Sequence, residues 1–183
     1  MKKSLEEIRR ELDANSHTAE QLCRGLSEEQ LRWRPEPGRW SIAELLVHLN
    51  LTNQSYVPVI EAAVREGRAD GLIAPAQPFD LGFVGAQFAR SMEPQRMKMR
   101  APKMIRPLLQ GPALEALPQF LRSQDLVARA MDASDGLDLA NLKFTSPFFK
   151  LLRLSVIAGF AVITAHERRH LWQAEQVTVQ HRK

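Results

Sequence analysis

The stretch LLRLSVIAGFAVITAHERRHLWQAEQV, Leu151 to Val177, decides how this chain folds. Read at the helical period, Leu152, Val156, Gly159, Ile163, His166, His170, Ala174 and Val177 share one stripe. The alternating steps of four and three residues mark the buried seam of a helical bundle. Two seam positions carry histidine instead of an apolar residue. They sit one turn apart and point the same way, so both rings can reach one ion. The middle of the run, LSVIAGFAVITA, is apolar nearly all round, as in a helix buried on several sides.

Working outward, a third histidine, His48, lies beside the apolar stripe of WSIAELLVHLNLT. Ser41 and Glu44 form a capping box that opens this helix, which is expected to reach about Glu66, with Pro58 kinking it or lengthening one turn. A second box, Ser4 with Glu7, opens an N-terminal helix ending near Arg24, and Ser27 to Leu31 reads as a short helical turn. Between them RWRPEPGRW stops any helix, and Trp33 and Trp40 are expected to plug the bundle end. Pro112 opens a further helix that ends at the Asp135–Gly136 turn. From Gly67 to Gly111 the pattern breaks down, and only Val84 to Met92 looks helical; so long a connection suggests a lid or binding loop covering one end of the bundle. A second connection, Leu137 to Phe149, gathers Phe144, Phe148 and Phe149. Past Val177 the polar tail is expected to fray.

The sequence has 183 residues, 44% apolar and 25% charged, which suits one globular domain over 1–183. No apolar segment follows the N-terminal lysines to make a secretory signal, and the run Leu154–Ala165 is too short to span a bilayer, so no membrane role is expected. Cys23 is the single cysteine, reads as a buried thiol, and excludes an intrachain disulfide; a reducing cytoplasm is the default location. Net charge is +4. Its one dense cluster, Arg90–Arg106, holds Arg90, Arg96, Lys98, Arg100, Lys103 and Arg106 but no aromatic residue on which to stack a base. It reads as a solvated loop, and nucleic acid is not an expected partner.

Imidazole suits zinc, nickel, copper and iron. Three protein ligands with open positions describe a catalytic site, whereas structural zinc is usually closed by four. No fourth Cys, Asp or Glu falls on the same stripes. Such an ion can hold a thiol as thiolate or lower the pKa of a bound water to about 7. The plain alternative is a set of core histidines with one hydrogen bond each; two in register with a third on another helix favour metal. Gln173 is placed to orient a ligand or substrate, Glu44 to cap its helix, and His17 and His181 to face solvent. HERRH also spells the zincin motif H-E-x-x-H. Only thirteen residues follow His170 to supply the third downstream ligand, no convincing strand precedes the helix, and Glu167 is rotated about 100° from His166. Glu167 is therefore read as part of a solvated charged face with Arg168 and Arg169.

The combination of WRPEPGRWSIAELLVHL early and AHERRHLWQAEQV late resembles the DinB-like (damage-inducible) superfamily over almost the whole chain. That resemblance implies an all-α, up-down-down-up four-helix bundle with a long connection between its second and third helices, often dimeric. It implies a divalent metal, zinc or nickel, on one histidine after the W-S motif and two from an H-x3-H on the last helix, which match His48, His166 and His170. Relatives include thiol S-transferases and a thiol-dependent isomerase. The expected function is thus a small-molecule enzyme, a metal-dependent transferase that activates a low-molecular-weight thiol. The rivals are a hydrolase using metal-bound hydroxide and a non-catalytic stress-related helical module. The basic segment Arg90–Arg106 is a candidate contact for an anionic cofactor.

Overall fold

The computed structural model describes residues 1–74, 77–94 and 101–181. In chain order it contains β1 (Lys2–Lys3), α1 (Leu5–Cys23), α2 (Glu28–Arg32), α3 (Ile42–Ala69), β2 (Phe79–Asp80), α4 (Gly82–Ser91), α5 (Ala116–Ala133), β3 (Lys143–Thr145), β4 (Arg153–Ser155) and α6 (Val156–His181). β1 pairs with β2 and β3 with β4, both antiparallel.

Capping boxes open the first three helices: Ser4 with Glu7, Ser27 with Gln30 and Ser41 with Glu44. Each satisfies two backbone N–H groups that the helix itself leaves unpaired. α5 begins differently. Pro112 leads into a 3-10 turn, Ala113–Glu115, and Glu28 of α2 accepts hydrogen bonds from the Ala113 and Leu114 amides (2.7 and 3.0 Å). Pro58 does not end α3, because Pro58 and Gln54 are solvent-exposed and water can reach the carbonyl its missing N–H would have engaged. α6 starts at Val156 rather than Leu151, since Arg153–Ser155 pairs with Lys143–Thr145. It continues to His181, whose ring meets Trp33 at 5.0 Å.

Side-chain contacts set the helix directions. Arg9 reaches Asp132 while Gln124 reaches Ser16, so α1 and α5 are antiparallel. Glu11 accepts from Thr164 and Asn15 donates to Glu167, so α1 and α6 are parallel. Asn53 donates to Ser123 and Arg68 to the Ala133 carbonyl, so α3 and α5 are parallel. α3 and α6 are antiparallel, with Ile60 against Gly159 and His48 beside His166. The result is an up-down-down-up four-helix bundle, as the sequence suggested.

Its core is in two parts. One contains Ile8, Leu12, Tyr56, Ile60, Val127 and Phe160, the other Ala19, Leu46, Leu49, Phe120, Leu171 and Ala174. Every long helix crosses from one part to the other through a polar residue: Asn15 on α1, Asn53 on α3, Ser123 and Gln124 on α5, Glu167 on α6. The three histidines lie at this level. The long connection does not sit over an end of the bundle. α4 lies along α6, where a Cβ on Gly85 would come within 2.6 Å of the Ala158 Cβ, and the 3-10 turn Lys103–Ile105 reaches α3. Of the basic cluster, Arg90, Lys103 and Arg106 are exposed as expected; Arg96, Lys98 and Arg100 lie outside the described residues. Among the described residues no helix is long and apolar enough to cross a membrane.

Candidate metal centre

His48, His166 and His170 come together, each offering a ring nitrogen within 4.8 Å of the others. The Nε2 atoms of His48 and His170 lie 3.3 and 3.1 Å from Nε2 of His166. Two of the rings have their tautomer set from behind. Nδ1–H of His48 donates to the Ile105 carbonyl (2.6 Å), and Nδ1–H of His170 donates to Oε1 of Gln173 (2.8 Å). Their Nε2 atoms therefore present lone pairs, both toward Nε2 of His166. One proton on His166 could satisfy only one of them.

A second proton is disfavoured. Burial pushes the His170 ring down to about 3, helped by the charge His48 would carry, and burial holds His166 well below the usual imidazole range. Burial lowers His48 as well, against the opposing Ile105 hydrogen bond. Three neutral rings with converging lone pairs fit a divalent cation. Ligand nitrogens around a tetrahedral zinc at about 2.0–2.1 Å would be roughly 3.3 Å apart, close to the separations seen here. Nδ1 of His166 is buried without a hydrogen-bond partner among the described residues.

The five residues of HERRH divide by rotation around the helix. His166 and His170 face the cluster. Glu167 is fully buried and does not belong to a solvated face, which corrects the sequence reading. It points to the bundle axis, accepting from Asn15 (2.9 Å), Asn53 (3.0 Å) and Gln124 (3.3 Å). Burial raises its pKa to about 7, against the pull of these amides. Arg168 binds Glu11 (3.0 Å) and Glu93 (2.6 Å). Arg169 donates to the carbonyl of Ser91 (3.0 Å). Both arginines thus hold the chain just after α4 against the helix that carries two histidines. Glu167 is turned away from the cluster, as its rotation from His166 suggested, so it cannot act as a zincin base; the face it joins is the bundle interior rather than the solvated surface. A strand does precede α6, but its partner is β3.

Glu44 caps α3 and pairs with Arg34; it does not steady His48, a job the Ile105 carbonyl does instead. Trp40, read as an end plug, lies over the cluster, its ring 4.8 Å from His48 and 6.0 Å from His170. The Ile105 carbonyl has no side-chain signature, and nothing in the sequence could have found it. Cys23 is partly buried and is not part of the described cavity lining, and burial pushes its thiol up to about 11. His17 and His181 are exposed.

The cluster opens into a cavity of about 830 Å³, lined by Trp40, Tyr56, Met92, Phe148, Phe149 and Trp172 among others. That size suits a small-molecule ligand. Its described lining has Arg39 and Arg169 but no aspartate or glutamate.

An up-down-down-up bundle with three inward histidines from two antiparallel helices defines a class of small helical proteins with a potential metal-binding cavity. The chain belongs to the DinB superfamily, whose family model matches residues 11–174. Among solved structures it is similar to YfiT from Bacillus subtilis, described as "a probable metal-dependent hydrolase with an unusual four-helix bundle topology". The TM-score is 0.62 at 13% identity, covering 97% of this chain and 87% of that one, and the likeness concerns the fold. No curated protein sequence matches the chain significantly.

Proposed function

We propose that this protein is a divalent-metal-dependent transferase that activates a low-molecular-weight thiol toward a small electrophile, with His48, His166 and His170 as the metal ligands. One observation carries the reading: three neutral imidazoles converge inside a cavity whose described lining has no carboxylate. When bound, the ion supplies Lewis acidity, which lowers the pKa of a coordinated thiol or water. A thiol so activated needs no separate carboxylate base, whereas peptide-type hydrolysis commonly uses one. The chain's own groups do the rest. The Ile105 carbonyl and Gln173 hold two rings in the ligating tautomer. Trp40 and the aromatic walls keep water away. Arg39 offers a cationic contact for an acidic thiol cofactor.

With monochlorobimane as electrophile, the S–C bond forms and the C–Cl bond breaks. Chloride leaves, and the thiol proton goes to solvent. The metal-loaded protein should accelerate this conjugation with one of the common cellular thiols. His166→Ala/His170→Ala should lose both stoichiometric metal, measured by elemental analysis, and the conjugation. Absence of turnover with every thiol tested would sink the transferase reading. The second reading is hydrolysis, with water in place of the thiol. It is favoured by the description of the B. subtilis neighbour, and ester or amide turnover without added thiol would establish it.

A further inference from the structure

The cavity has two ends of different chemistry with the histidines between them. α3 and α6 run antiparallel, so His48, Thr52 and Tyr56 descend one wall while His170, His166 and Val162 descend the other. His48 and Tyr56 are two turns apart, about 12 Å along the axis. The end beyond His48 and His170 is formed by Arg39, Trp40, Trp172 and Gln173. The other end is formed by Tyr56, Phe88, Phe148 and Phe149. There the rings meet edge to face, Tyr56 with Phe148 at 5.3 Å and Phe88 with Phe149 at 6.0 Å. The charged residues of the described lining lie elsewhere. Arg39 is next to Trp40, and Arg169 is at the level of the histidines, bonded to Ser91.

We infer that the Tyr56 end is a subsite for an uncharged aromatic ring, the apolar part of the electrophile. The Arg39 end takes the anionic part of the thiol. Edge-to-face ring pairs leave their faces and edges available to a further ring, and apolar walls give a charged group no compensation for lost water. A substrate held at each end would bring its reacting atom to the histidines from opposite directions. The identity of the two substrates rests on the transferase reading; the preference of one end for a neutral ring does not.

The test uses N-phenyl-1-naphthylamine, an uncharged two-ring probe that fluoresces in apolar surroundings, titrated into the metal-loaded and the metal-free protein. Binding is expected in both forms. Phe88→Ala/Phe149→Ala should weaken it about tenfold while keeping stoichiometric metal uptake, which shows that the variant is folded. Arg39→Ala should leave probe affinity within about twofold and raise the KM for an acidic thiol instead. No fluorescence enhancement, or equal affinity in the double variant, would overturn the subsite. Probe binding that depends on Phe88 and Phe149, in a protein that turns over no thiol, would support the subsite and count against the transferase.

Discussion

At Glu167 a buried carboxylate accepts from three side-chain amides, one from each of the other long helices. Nothing in the local sequence separates it from its charged neighbours; its burial is decided by where α1, α3 and α5 pack against α6. Glutamine in its place cannot accept at both ends, so at least one donor would face an amide N–H₂. In the metal-free protein, Glu167→Gln should lower stability by about 1–3 kcal/mol at pH 5. The sign of the pH dependence follows from the raised pKa. The folded carboxyl titrates at about 7 and the unfolded one near 4.5, so the native state holds its proton more tightly. Glu167's own contribution to stability is therefore full below about 4.5 and is lost as pH rises through about 7. The variant lacks that slope, and the gap between the two should narrow by pH 8. Thermal melts at both pH values check this; a gap that widens with pH would refute it. Metal stoichiometry should not change, because Glu167 faces away from the histidines.

At the scale of elements, the Ser41–Glu44 box and the apolar stripe place His48 without help from the rest of the fold. α4 is different. It can lie against α6 only because Gly85 has no side chain: a Cβ there would sit 2.6 Å from the Cβ of Ala158, and neither atom can rotate away. Gly85→Ala should push α4 outward and cost about 1–3 kcal/mol. Phe88 and Met92, on the same helix and its end, would move with it. The expected readout is a lower melting temperature together with weaker binding of an aromatic probe. A variant with wild-type values for both would show that α4 is not held so closely.

At the scale of the whole molecule, the long connection and the histidine cluster are one unit. His48 donates to Ile105, Arg169 to Ser91, and Arg168 binds Glu93, so both described flanks of residues 95–100 are tied to the elements that carry the rings. Fixing the rings around an ion should therefore also fix the connection. At a metal concentration of 100 times Kd the stabilisation is about 2.7 kcal/mol, or roughly 5–11 °C in Tm for a chain of this size. Trypsin cleavage after Arg90 and Lys103 should slow in parallel. Protection without a Tm shift, or a shift without protection, would uncouple the two.

The helices, their caps and the register of the three histidines are local matters. They depend on residue spacing along one helix at a time, and periodicity reports that directly, which is why the helical faces that carry His48, and His166 with His170, were legible in the chain. The burial of Glu167, the Ile105 carbonyl behind His48, the position of Trp40 over the rings and the two-ended cavity could not be. Each depends on where a second, distant segment lies, and a backbone carbonyl or an unfilled space leaves no mark in residue type. Helical phase is written in the sequence; what each face meets is decided only when the helices and their connections pack.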